Sequence, residues 1–280
     1  MYPELFTVNL PIIGSLTITS FGVMMALAFL TAYQILRSEL TRLGQDSDFS
    51  GDLLIGALIG GIVGAKLYYV ILNWELTFRD PFGMLFSRAG LVWYGGLLGA
   101  IVVMVYQVHH RGESKPLIAD ALAPGNALAY GIGRIGCFLV GDDYGRPTES
   151  WVGLAFPKGS PPSSAGNLRR SFGVSIPDSV ADSTVLSVHP TQLYEVGLSV
   201  LIFAVLWRLR GRGKPIGWLF SLWIVLAGLE RFVVEFFRAK DDRFFGVLTL
   251  AQIISLALVG AGIWMMRRSE MLRSNGTATA

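Results

Sequence analysis

Seven stretches of about 20 mostly apolar residues recur along this chain of 280 residues, and they leave it few architectures. They run at about Leu16–Leu36, Leu53–Leu72, Leu91–Val108, Leu117–Val140, Thr191–Leu209, Ile216–Phe237 and Val247–Met266. A helix of that length crosses the hydrocarbon of a bilayer and satisfies its own backbone there. Composition agrees: 15% of the residues are charged, against roughly 25% in soluble domains. The expected fold is an all-α integral membrane protein of about seven transmembrane helices, with a small head inserted between helices four and five. The fourth stretch is the least apolar, holding Asp120, Pro124, Asn126 and Arg134, so it is expected to be surrounded by other helices. No basic region precedes the first stretch, whose first cation is Arg37. The segment is therefore expected to stay as a membrane helix rather than to be removed as a signal peptide.

The expected organisation is helices one to four with an interfacial lead over residues 1–140, a head over 141–188, helices five to seven over 189–268, and a disordered tail over 269–280. The head contains Pro147, Pro157, Pro161, Pro162 and Pro177, and Val152–Phe156 reads as a short strand. Lys and Arg positions set orientation. With the N-terminus outside, the inner segments carry Arg37, Arg42, Arg111, Lys115, Arg208, Arg210, Arg212, Lys214, Arg267, Arg268 and Arg273. The short outer loops carry Arg79, Arg88, Arg238, Lys240 and Arg243. This favours N-out and C-in, with the head outside. Gly56, Gly60 and Gly64, and likewise Gly95, Gly96 and Gly99, read as close-packing positions between helices.

The formal charge of +3 and scattered cations argue against nucleic acid. One cysteine, Cys137, excludes an intrachain disulfide, and His109, His110 and His189 form no metal motif. No metal or organic cofactor is expected. Ionisable residues at membrane depth are costly and point to function. They are Lys66, Asp120, Arg134, Glu195, Glu230, Arg231 and Glu235. Arg231 and Glu235 share a helix face, and Arg238 continues it. The run Gly133–Pro147 (GRIGCFLVGDDYGRP) sets an arginine among glycines with two carboxylates at the helix exit. An arginine fork matches a phosphate, so a phosphate headgroup is the expected ligand. The run His189–Glu195 (HPTQLYE) opens the next helix, with Pro190 at its start.

Together these runs resemble the prolipoprotein diacylglyceryl transferase family. Its signature, G-R-x-G-N-F-x-N-x-E-x-x-G, is met at Gly133, Arg134, Gly136, Phe138 and Gly145. Further matches are HPTQLYE, Arg231–Arg238 (RFVVEFFR), Gly90–Gly96 (GLVWYGG) and Leu248–Ser255 (LTLAQIIS), in the family's order. Cys137 and Val140 stand in place of signature Asn, Asp142 in place of Glu, Tyr94 where some members have His, and Phe21 where some have Tyr.

The resemblance implies transfer of the diacylglyceryl group from phosphatidylglycerol to the lipobox cysteine of a prolipoprotein. A thioether forms and glycerol phosphate leaves, at the outer face of the bacterial cytoplasmic membrane, so the head is expected to be periplasmic. The implied partners are phosphatidylglycerol, the prolipoprotein signal peptide and membrane lipid. Negative charge grows on the leaving phosphate, and fixed cations aimed at it lower the barrier; Arg134 and Arg231 are the candidates. The acceptor must become a thiolate, and Tyr94, Asp142, Glu195 and Glu235 are candidate bases or orienting groups, with no choice among them. Gly145, Gln192, Tyr194, His189 and Cys137 are assigned to the substrate-binding surround, Cys137 as a packing or accepting group rather than a nucleophile. A lipid transporter or flippase, and a transferase with another acceptor, are the competing readings.

Overall fold

A computed structural model describes the chain except residues 11–13, 88–89, 91, 240–242, 245–247 and 278–280. Arg88, Leu91, Lys240 and Val247 of the sequence reading lie outside the described residues. In chain order the elements are β1 (Glu4–Leu10), β2 (Gly14–Thr19), α1 (Ser20–Arg42), α2 (Phe49–Leu72), α3 (Trp74–Arg79), α4 (Pro81–Phe86), α5 (Trp93–His110), α6 (Lys115–Val140), β3 (Leu154–Ala155), α7 (Ala165–Phe172), β4 (Ser187–Val188), α8 (Thr191–Leu209), α9 (Trp218–Glu235), β5 (Arg243–Phe244), β6 (Leu248–Thr249) and α10 (Leu250–Thr277). The chain is mostly helical. Among the described residues, four helices, α1, α2, α8 and α10, are long and apolar enough to cross a membrane.

The described residues fall into two compact units, 33–121 and the remainder. In the smaller unit α2 packs against α5 through glycine. A Cβ on Gly60 would come within 2.6 Å of the Gly99 carbonyl oxygen, and one on Gly64 within 2.8 Å of Gly99 Cα. The small-residue spacing therefore brings two backbones together, as van der Waals packing in lipid favours. Lys66 Nζ donates to Ser87 Oγ at 2.8 Å and to Ser87 O at 2.9 Å. Glu39, which the sequence reading passed over, is fully buried and receives the Arg42 guanidinium, with Nε at 2.9 Å and Nη2 at 2.6 Å.

The larger unit holds the rest. The first residues, expected as an interfacial lead, form an antiparallel hairpin, β1 with β2. Helix α1 consequently starts at Ser20, one turn later than the apolar run. Glycine again permits close approach: a Cβ on Gly136 of α6 would meet Met24 Cβ at 3.1 Å and Phe21 Cδ2 at 3.2 Å. Ala123, Ala127, Ile202, Leu206, Trp218 and Leu219 form a core between α6, α8 and α9. Residues 269–277, expected as disordered tail, continue α10, where Glu270 Oε1 accepts from Trp218 Nε1 at 3.0 Å.

The proline-rich insert between α6 and α8 is ordered. It has its own core of Tyr144, Phe156, Leu168 and Val188, joined by Ala239. The expected strand near Val152–Phe156 is β3, paired with β4. Ser164 caps α7 by accepting from Asn167 N at 3.4 Å, and Gly173 ends it in the left-handed region. Arg169 crosses the loop to Asp182 at 2.6 Å and to the carbonyls of Ile176 and Val180. Irregular chain with only this small core is thus pinned by side chains that hydrogen-bond to its backbone.

Candidate active site

Two glycines and one aspartate shape the turn that builds the site. Gly141 ends α6 with φ 74°, and its N–H returns to Cys137 O at 2.8 Å. Asp143 follows with φ 55°, a region that Asp tolerates better than most residues. A Cβ on Gly145 would lie 2.8 Å from His189 Cβ and would overlap the Phe237 carbonyl. Gly145 instead forms a bridge with Arg238, and its N–H donates to His189 O at 2.8 Å. This glycine was expected to surround substrate; close main-chain packing accounts for it. Thr191 Oγ1 donates to Asp143 O at 2.7 Å, and Gln192 Nε2 donates to Asp142 O, so the start of α8 fixes the turn.

Charged side chains from four segments then close a ring. Arg134 of α6 meets Glu195 of α8 through Nε and Nη2. Glu195 also faces Arg231 Nη1 at 3.8 Å. Arg231 Nη2 meets Glu235 at 2.7 Å, and Glu235 lies 3.6 Å from Arg238 Nε. Arg238 Nη2 donates to Asp143 Oδ1 at 2.9 Å, and Asp143 Oδ2 receives Arg134 Nη1 at 3.0 Å. Three arginines and three carboxylates alternate around the circuit, so every charge has an opposite neighbour on both sides. Arg231 is the most exposed of the three cations, at 33% against 11% for Arg134 and 16% for Arg238. Tyr130 donates its hydroxyl to Glu195 Oε1 at 2.9 Å.

Among the sequence-predicted residues, Arg134, Glu195, Arg231 and Glu235 are brought together in this ring. Asp142 is not a member; its neighbour Asp143 is. The backbone turn decides this, because it aims adjacent side chains in different directions. Asp142 faces Cys137, and burial first, then the Asp143 charge, raises its pKa above the ordinary value. Burial also pushes Asp143 up, but Arg238 and Arg134 outweigh it and hold its carboxyl below the usual range. Cys137 is buried, with Arg134 Nη1 3.4 Å from its sulfur. Its Sγ and the two aspartates lie within 4.8 Å of one another. Two guanidiniums on one of those carboxylates make that donor set a poor cation site. Gln192 is fully buried under the turn. His189 Nδ1 and Tyr194 OH are 3.0 Å apart and pack edge-on against Phe237; burial lowers the His189 pKa, favouring neutral imidazole. Tyr94 lies in the smaller unit, on the first turn of α5, with its ring exposed and edge-on to Trp93 at 5.2 Å. Glu230 is buried and accepts from Ser199 Oγ at 2.9 Å.

The sequence reading missed Tyr130, Asp143 and the cross-helix partners of each charge. Tyr130 had a signal, since it stands four residues before Arg134 on the same helix face.

The profile of the prolipoprotein diacylglyceryl transferase family matches residues 7–268. The chain belongs to this family. Among relatives of prolipoprotein diacylglyceryl transferase type, one from Clostridium tetani is 31% identical, covering 89% of this chain and 92% of its own. Another from Geobacter sulfurreducens is 32% identical, over 90% and 91%. A third from Vibrio parahaemolyticus is 31% identical, over 91% and 87%. Each is named phosphatidylglycerol–prolipoprotein diacylglyceryl transferase. The ring, the turn and the head all lie within the matched span. Membership and the apolar helices make the chain a membrane protein.

Proposed function

We propose that this protein transfers the diacylglyceryl group from phosphatidylglycerol to a prolipoprotein, at the lipobox cysteine, in the first step of lipoprotein maturation. The observation that carries the reading is the closed ring of Arg134, Glu195, Arg231, Glu235, Arg238 and Asp143 in a member of this family. The cysteine sulfur attacks the glyceryl carbon that bears the phosphate ester. The carbon–oxygen bond breaks, its electron pair stays on the leaving oxygen, and glycerol phosphate departs. Phosphodiester becomes phosphomonoester, so negative charge grows where the ring arginines Arg134, Arg231 and Arg238 are held. Cations already oriented by carboxylates need little reorganisation at that moment.

The thiol proton needs an acceptor. Glu195 and Glu235 each lie between two ring arginines. Asp142 has a raised proton affinity, and its Oδ1 has no hydrogen-bond partner among the described residues. Asp142 therefore takes the proton in this reading. Cys137 beside it packs under Arg134 rather than forming a covalent intermediate.

Seven spans are proposed for α1, α2, α5, α6, α8, α9 and α10, with the N-terminus and the 141–188 head outside and the C-terminus in the cytoplasm. The cations of the α5–α6 and α8–α9 connections and of the α10 end support this orientation. A reporter fused at Gly166 is expected to be active on the outer side; cytoplasmic activity there overturns the orientation. Incubating purified protein with phosphatidylglycerol and a lipobox peptide tests the activity. A peptide mass raised by one diacylglyceryl group, with glycerol phosphate released, is the expected result. Lipid binding without product favours a transporter or flippase, and product on another acceptor a related transferase.

A further inference from the structure

One anion of the ring differs from the other two. Glu195 and Glu235 are buried on helices, whereas Asp143 sits on the turn after α6 with its side chain 43% exposed. Its two carboxylate oxygens go to two different guanidiniums, Oδ2 to Arg134 Nη1 at 3.0 Å and Oδ1 to Arg238 Nη2 at 2.9 Å. A phosphodiester offers the same pattern, two anionic oxygens on one centre, and arginine forks take either group. Residue 143 falls at an open position of the family signature, and the transfer steps above do not use its carboxylate.

We propose that Asp143 is a resident substitute for the lipid phosphate, occupying the anion position between Arg134 and Arg238 until phosphatidylglycerol displaces it. The inference rests on reading the ring as a phosphate site. The exchange is neutral, because one monoanion replaces another. Without an anion there, two guanidiniums would face each other across the ring, so a stored carboxylate keeps the ring assembled between turnovers. The turn is built for the exchange. Thr191 Oγ1 holds the Asp143 carbonyl at 2.7 Å and Gln192 holds that of Asp142, so the main chain stays while the exposed side chain rotates into water. The carboxylate competes with substrate, and the apparent affinity falls by the fraction of time the position is open.

The test is glycerol phosphate, a soluble probe, titrated calorimetrically into detergent-purified wild type, Asp143→Asn and Asp143→Gly. Asn keeps shape without charge, and Gly suits the positive φ, so folding is retained by at least one. Both variants are expected to bind the probe about three- to tenfold tighter, the gain when a competitor that fills the position most of the time is removed. Unchanged or weaker binding in both means that Asp143 only orders the arginines, and overturns the inference. The readout is binding, so tighter binding in protein that makes no thioether keeps the inference and removes the proposed function instead.

Discussion

Glu195 is the anion on which the ring depends most. It is fully buried, meets Arg134 through two nitrogens, faces Arg231 at 3.8 Å and accepts from Tyr130 at 2.9 Å. Glu195→Gln keeps volume and the tyrosine hydrogen bond while removing the charge. Breaking a buried pair costs on the order of 3–5 kcal/mol, because it leaves an uncompensated charge. Each arginine here keeps one carboxylate, Arg134 with Asp143 at 3.0 Å and Arg231 with Glu235 at 2.7 Å. The loss should therefore fall at the low end, about 3 kcal/mol. Denaturant titration in mixed micelles reads it directly. A double-mutant cycle with Arg134→Gln isolates the pair, and coupling of about 1–3 kcal/mol is expected for contacting charges. Coupling indistinguishable from zero would refute the view that these groups form one electrostatic unit.

Further outcomes follow from the same geometry. Arg134→Lys should not restore transfer lost in Arg134→Ala, since one ammonium cannot serve Glu195 and Asp143 in the planar fork that the guanidinium provides; turnover equal to wild type contradicts this. Cys137→Asn should remain active, because the sulfur packs rather than reacts, and complete loss in folded Cys137→Asn and Cys137→Ser contradicts it. Asp143 has a depressed pKa, so its stabilisation is present above the unfolded aspartate value and is lost as pH falls through the lower folded one. The stability gap between wild type and Asp143→Asn should therefore narrow on acidification below the ordinary aspartate range; a gap independent of pH rejects this.

Much of the helical framework was legible because apolar runs of membrane length have few alternatives. The ends were less so. Helix α1 begins late because Gly14–Thr19 pair as β2, and the short helices α3 and α4 carry no amphipathic signal of useful length. Within the site, Arg231, Glu235 and Arg238 could be placed on one face because helical spacing fixes neighbours three and four apart. Their partners on other helices could not, since Glu195 with Arg134 depends on packing that no local pattern encodes. The choice between Asp142 and Asp143 was equally hidden. It turns on the left-handed conformations of Gly141 and Asp143, which aim two adjacent carboxylates at different neighbours.

The central claim is that the ring handles the lipid phosphate rather than merely holding helices together. Replacing Arg231 with Met and Glu235 with Leu in one protein tests it most directly. The two charges leave as a pair, and Arg134, Glu195, Arg238 and Asp143 keep partners. Exchanging a buried pair for apolar residues of similar size is often neutral or stabilising, so the double variant should unfold close to wild type. Its transfer of diacylglyceryl to a lipobox peptide should be lost. A stable double variant that still makes the thioether at the wild-type rate would show the ring to be structural and the assignment of Arg231 to be wrong.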